Sequence, residues 1–312
     1  MSGFLITALL LKERGRSGSL DLPRFYRRRA LRLLPALFVM VALVGAFSWA
    51  TGSDFAPPRD VAAALLYYAN WQEAFGHRLV GLEHTWSLAV EEQFYLAWPL
   101  LMILAARLGR RGVLVTALGG ALLSLVWRIV LFAEGASTQR LYFGADTRAD
   151  CILIGCALAV VMSGRLDRVA RPRLANATVA VTAAVAAALV AAGGLGRWAL
   201  LPTVIASGTA LVIWHVARDD YRGWFAHPLM RLVGQRSYAL YLWGFPIGGL
   251  VHVAVPELSP VVTLPLILGL TACAAALSWR YVESPFLRLK ARGRPPHGST
   301  GLDQTHAVVP LV

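Results

Sequence analysis

Apolar residues run in long blocks along this chain, separated by short clusters of charge. Eight blocks, at about 33–50, 86–107, 113–133, 149–164, 174–193, 198–217, 237–254 and 261–280, are built almost wholly from Leu, Val, Ala, Ile, Phe and Trp. A helix needs about 20 such residues to cross the hydrocarbon of a bilayer. The pattern predicts an all-α, polytopic integral membrane protein with about eight full transmembrane helices, of which 149–164 is short. A ninth apolar stretch, Met1 to Leu11, reaches only about 16 Å at 1.5 Å per residue. It is a half-helix, and its basic residues follow the apolar run, the reverse of a secretory signal peptide.

The charges between the blocks give an orientation. Of the 30 Lys and Arg residues, 24 fall in the segments 12–32, 107–111, 165–173, 218–236 and 280–294. These segments share one side if every block crosses once. The alternate segments 51–85, 134–148, 194–197 and 255–260 hold few. Basic loops stay in the cytoplasm, so the chain is expected to be a multi-pass protein of the inner (plasma) membrane with its C-terminus cytoplasmic. Residues 1–290 form the transmembrane domain, and 291–312, rich in Pro, Gly and Ser, read as a disordered cytoplasmic tail. Within 51–85, the run Val61 to Trp71 is a candidate short helix at the interface.

Composition sharpens the class. The chain is 57% hydrophobic and only 15% charged, against about 25% charged in soluble domains. The net charge of +13 would suit nucleic acid, but the arginines punctuate apolar blocks and leave no polar surface for a duplex. Cys151, Cys156 and Cys273 all lie in apolar runs with neither disulfide nor metal spacing. No histidine pair has ligand spacing, so no metal site is expected.

Four stretches carry polar chemistry. In "FYRRRALRLLPA" (25–36), Arg28 and Arg32 are i, i+4 and Arg29 and Arg32 are i, i+3, so they share a helical face. They sit at a helix N-terminus, which favours anions, and guanidinium groups match phosphate oxygens. Topology and headgroup anchoring, which need no ligand, account for them more simply. In "LEHTWSLAVEEQFYLAWPL" (82–100), His84 stands just outside the membrane, with Glu91 and Glu92 about two turns inside. Ser87, Glu91 and Tyr95 share one face. Carboxylates at that depth are expensive and suspect as functional groups; the alternative is a structural pair with Arg128 or Arg148. In "ADTRADCILIG" (145–155), Asp146, Arg148 and Asp150 suit local salt bridges at a helix start, while Arg128 in "LLSLVWRIVLF" needs a partner or a polar cavity. In "VGQRSYALYLWGFPI" (233–247), Tyr238, Tyr241 and Trp243 suit an interfacial aromatic belt.

These stretches, in this order, resemble the membrane acyltransferase 3 family, whose members O-acylate cell-envelope polysaccharides and related acceptors. "SGFLIT" (2–7) is similar to a second-helix motif, and Arg29 and Arg32 fall on the family's RxxR pair. "HTWSLAVEEQFYLAWP" (84–99), "RADCILIGCAL" (148–158), "RSYALYLW" (236–243) and "YVESPF" (281–286) follow in register. The resemblance implies an acyl group, commonly acetyl, passed from cytoplasmic acyl-CoA to a hydroxyl of an extracytoplasmic saccharide or lipid-linked acceptor. It implies that Arg28, Arg29 and Arg32 hold the donor's phosphates. Glu91 or Glu92 would orient a base or polarise the acceptor hydroxyl. His84 is a candidate base on the acceptor side, where Ser87, Tyr95, Arg148 and Asp150 would meet the substrate.

Two departures stand out. The family carries an Arg–His pair in a helix upstream of SGFLIT, with that histidine as the expected base, and Met1 directly precedes SGFLIT here. Where the family has Tyr-Leu-Trp-His, this chain has Tyr241-Leu242-Trp243-Gly244. An N-terminally truncated enzyme of impaired activity is therefore expected, because a positioned base supplies roughly 10²–10⁴-fold in rate. The competing classes are a transporter or flippase of acyl or glycan groups and a non-catalytic remnant. Loss of acyl-CoA-dependent activity on changing Arg29 and Arg32 separates the enzyme from the transporter.

Overall fold

The computed structural model describes residues 2–163, 172–217 and 227–292, and among them every regular element is helical. The tail from 293 onward and the basic segments 164–171 and 218–226 lie outside the described residues. The chain divides into two units, Met1–Leu22 with Pro58–Phe225, and Pro23–Pro57 with Ala226–Val312.

The first unit holds α1 (Ser2–Ser17), α3 (Pro58–Leu65), α4 (Ala69–Ala74), α5 (Thr85–Ala105), α6 (Gly109–Ala133), α7 (Thr138–Phe143), α8 (Ala145–Met162), α9 (Pro172–Ala192) and α10 (Leu201–Val216). Helix α8 is its hub, with α1, α6 and α10 packed against it. Small residues permit a close crossing of α1 and α8. A side chain at Gly3 would collide with the Ile152 carbonyl, and a Cβ at Gly155 would lie 2.9 Å from the Phe4 amide nitrogen. Such glycine contacts let membrane helices approach backbone to backbone. Beside this crossing the buried Trp98 donates its indole N–H to Thr7 Oγ1 at 2.9 Å.

The segment between residues 51 and 85 is built rather than loose. The expected interfacial helix at 61–71 is instead two, α3 and α4, divided at Tyr67, whose φ of 55° is rare for a residue with a side chain. Buried Asp60 accepts from Gln72 Nε2 at 2.6 Å and from the Val80 amide at 2.8 Å. Gln93 of α5 donates to the Tyr67 carbonyl at 2.7 Å and to Asn70 Oδ1 at 2.9 Å.

The second unit holds α2 (Leu22–Thr51, which begins at the unit boundary), α11 (Pro228–Ala254), α12 (Pro260–Ser278) and α13 (Ser284–Arg292). Helices α11 and α12 pack together. Tyr238 of α11 donates its hydroxyl to the Leu33 carbonyl of α2 at 2.8 Å. This contact lies next to Pro35, which has no N–H for the carbonyl one turn back.

Five described stretches are long and apolar enough to cross a membrane: Leu22–Thr51, Thr85–Ala133, Arg173–Ala192, Gly196–Val216 and Pro260–Arg288. That is fewer than the eight apolar blocks, for identifiable reasons. Thr85–Ala133 contains both α5 and α6, separated by a 3₁₀ turn and by Gly109 at φ 70°. Helix α8 carries Asp146, Arg148 and Asp150 in its first turns, and α11 is diluted by tyrosines, glycines and a proline. Only 6% of the apolar window in Arg173–Ala192 is buried within the protein, as suits a lipid-facing helix. The all-helical architecture and these spans describe a multi-pass membrane protein.

Candidate functional site

Glu91 is a carboxylate of the first unit held by hydroxyl groups from two helices. It sits two turns into α5, half-buried. Ser2 of α1 donates its hydroxyl to Glu91 Oε1 at 2.7 Å, and the Tyr95 hydroxyl reaches Oε2 at 3.4 Å. The Gly3–Gly155 crossing sets Ser2 in place, and helical periodicity sets Tyr95 one turn below Glu91. Glu92 is also half-buried, and both it and Ser87 engage neighbours within the fold. His84 occupies the N-cap position of α5 without a side-chain cap hydrogen bond, is 5% exposed, and engages neighbours within the fold.

Upstream of His84 lie two further acids. Burial holds the Glu73 carboxyl above its ordinary range; the charge of Asp60 adds to this, while the Leu79 amide, at 2.9 Å, and Arg78 pull it back. Glu83 is raised in the same way, first by burial and then by the charge of Glu73, against backbone hydrogen bonds and Arg78. Its Oε2 is buried and has no hydrogen-bond partner among the described residues.

Arg128 has the partner its sequence setting demands. It is wholly buried and donates to Asp150 Oδ1 and Oδ2 at 2.9 Å each, to the Ala199 carbonyl at 2.8 Å, and to the Thr147 carbonyl. Thr203 accepts from Arg128 and donates to Asp150, both at 2.5 Å. Neither Glu91 nor Glu92, suggested by sequence as partners of Arg128, takes that place. Asp150, expected to meet substrate, is fully buried with both oxygens committed to Arg128. Asp146 similarly pairs with Arg140 and accepts from Trp127 Nε1 at 2.9 Å. Arg148 differs: its guanidinium lies over Tyr142 at 5.0 Å and Trp86 at 5.7 Å.

In the second unit, Arg28, Arg29 and Arg32 lie half-buried on α2, each engaging a neighbour. Arg32 is near enough to Glu283 for its charge to act there. Glu283 is 4% exposed, accepts from Ser278 Oγ at 3.3 Å, and closes a π-helical turn, Trp279–Glu283, between α12 and α13. Ser2 and Glu283 lie in the SGFLIT and YVESPF motifs, yet only the structure gives them polar neighbours. The signal was there for Glu283, a carboxylate in a bilayer-length apolar stretch; nothing local marked Ser2. Among the described residues, no group of three His, Cys, Asp or Glu side chains could hold a metal ion.

Carboxylates and guanidinium groups held on bilayer-length helices define a polytopic membrane protein with polar chemistry inside its spans. The chain belongs to the acyltransferase 3 family, whose acyltransferase domain matches residues 1–280. It is 32% identical to the peptidoglycan O-acetyltransferase OatA of Listeria monocytogenes, over 91% of this chain and 49% of that one. It is 30% identical to the O-acetyltransferase OatA of Staphylococcus aureus, over 91% of this chain and 51% of that one. The chain thus spans about half the length of the curated relatives it matches. No solved structure matches it.

Proposed function

We propose that the protein is a membrane O-acyltransferase that moves an acetyl group from cytoplasmic acetyl-CoA to a hydroxyl of an extracytoplasmic saccharide. The observation that carries this reading is the family match across residues 1–280, and the O-acetyltransferase relatives point to acetyl as the group and a peptidoglycan-type saccharide as the acceptor. Helices α8 and α11 cross the inner membrane along with the five apolar stretches, and the C-terminus is cytoplasmic, in keeping with the basic segments on that side.

Arg28, Arg29 and Arg32 hold the phosphates of the donor. Binding exchanges their present contacts for phosphate oxygens, which guanidinium groups meet in bidentate geometry. Transfer forms a bond from the acceptor oxygen to the thioester carbonyl carbon and breaks the carbon–sulfur bond, and the hydroxyl proton passes through the base to the leaving thiolate. His84 serves as the proton acceptor. Glu91, steadied by Ser2 and Tyr95, and Glu92 polarise and orient the hydroxyl, with Ser87 and Arg148 on the acceptor side. Asp150 contributes through the fold, by holding Arg128 and the start of α8.

The test is transfer of radiolabel from acetyl-CoA to peptidoglycan fragments by the purified protein in liposomes. Labelled saccharide is expected, and its loss in the R29A/R32A double variant. Movement of saccharide across the bilayer that is indifferent to acetyl-CoA would replace this reading with a transporter.

A further inference from the structure

A cavity of about 590 Å³ opens between α8, α9 and α10, wholly within the first unit. That volume lies inside the range of roughly 300–1,000 Å³ usual for small-molecule sites. Its two ends differ. One is rimmed by Tyr142, Arg148, Arg197 and Trp198, and the other runs down α10 past Ile205 to Ile213. From Pro202 to Ile213 the helix rises about 16 Å, close to half of the roughly 30 Å hydrocarbon core of a bilayer. The groove is therefore one leaflet long, polar at one end and greasy along its length.

The charge at the rim is uncompensated. Among the described residues, no carboxylate lines the cavity. The neighbouring arginines are spent, Arg128 on Asp150 and Arg140 on Asp146. Arg148 lies over Tyr142 and Trp86, and Arg197 over Trp198 at 4.9 Å; among the described residues neither has a carboxylate or hydrogen-bond partner. Stacking holds a guanidinium by its face and leaves its N–H edge for an oxyanion. The rim is also braced. Arg197 and Trp198 sit on a π-helical turn, Gly196–Leu200, whose Ala199 carbonyl is gripped by Arg128 at 2.8 Å. Turns of this kind recur at functional sites.

We propose that this groove binds one anionic phospholipid of the surrounding bilayer, its phosphate taken by Arg148 and Arg197 and an acyl chain lying along α10. Arg148 is shared with the acceptor side of the acyl-transfer reading, but the lipid site stands on the cavity and its rim, and its test reads binding rather than turnover. The purified full chain in detergent is titrated with dioleoylphosphatidylglycerol, with dioleoylglycerol and with glycerol phosphate, and retained ligand is counted by native mass spectrometry. Phosphatidylglycerol is expected to bind at least tenfold more tightly than either the phosphate-free lipid or the chain-free phosphate. R148Q and R197Q should each weaken it about tenfold, the scale of one charge-assisted contact, and R59Q should not. Equal binding of dioleoylglycerol would show a plain apolar groove and overturn the proposal, as would equal binding of glycerol phosphate, which would show a free-anion site. Should R148Q fail to fold, R197Q decides alone, since Arg197 is exposed; affinity within twofold of the parent would sink the idea.

Discussion

Arg128 and Asp150 meet end-on inside the first unit, the two Nη groups of the guanidinium donating to the two carboxylate oxygens at 2.9 Å each, with neither side chain exposed. Removing one partner leaves a charge in a low-dielectric interior, which costs about 3–5 kcal/mol. D150A should therefore lower the unfolding midpoint in detergent sharply, whereas R128M/D150L should cost much less than the two single changes combined. A D150A protein that melts like the parent would show that the pair is not what holds α6 to α8.

Glu91 is expected to act in the chemical step. E91Q keeps the shape and one hydrogen-bond acceptor but loses the charge, and should reduce turnover by roughly 10²–10⁴-fold with little change in the KM for acetyl-CoA. S2A removes only one neutral-to-charged hydrogen bond, worth about 1.5–3 kcal/mol, and should fall between E91Q and the parent. Steady-state transfer assays in liposomes separate the two.

The arginines of α2 should show the opposite signature. R29A and R32A are each expected to raise the KM for acetyl-CoA about 10–100-fold, the scale of a hydrogen bond between charged groups. Added salt should weaken donor binding in the parent more than in either variant. A kcat loss at unchanged KM would assign these side chains elsewhere.

Glu73 and Glu83 both have raised carboxyl pKa values, chiefly through burial. A folded-state value above the unfolded one means that the native form binds the proton more tightly. The resulting stability is present below the ordinary value of 4.5 and is lost as pH climbs through the raised value. E83Q and E73Q should accordingly flatten the dependence of melting temperature on pH between about 4.5 and neutrality, and E83Q should stabilise the protein at pH 7. A parent whose midpoint rises over that interval would contradict this.

Much of the architecture was legible because hydrophobicity is written locally. The apolar blocks correspond to α2, α5, α6, α9, α10 and α12, and the polar first turns of α8 were visible as Asp146, Arg148 and Asp150. Partnerships were not legible, because they depend on how helices register. Arg128 plainly needed a partner, yet Asp150 is 22 positions away on another helix, and spacing within one helix cannot choose it over Glu91. Ser2 and Glu91 are 89 positions apart. The groove is illegible for the same reason: the sequence sets Arg148 at the start of an apolar helix and Arg197 in the short segment 194–197, and only the fold brings both to one cavity. The division of the expected 61–71 helix into α3 and α4 is not legible, because polar groups, the buried Asp60 and the half-buried Gln93, organise that segment.

The contact of Gly3 with α8 has a mechanical consequence. Ser2 precedes it in the chain, so the place of its hydroxyl is dictated by how deeply α1 nests against a helix some 150 positions away. A single methyl added at Gly155 would meet the Phe4 amide and act as a wedge, lifting α1 and carrying Ser2 off the Glu91 carboxylate. Such a change should lower transfer about as far as S2A does, although it lies on neither Ser2 nor Glu91.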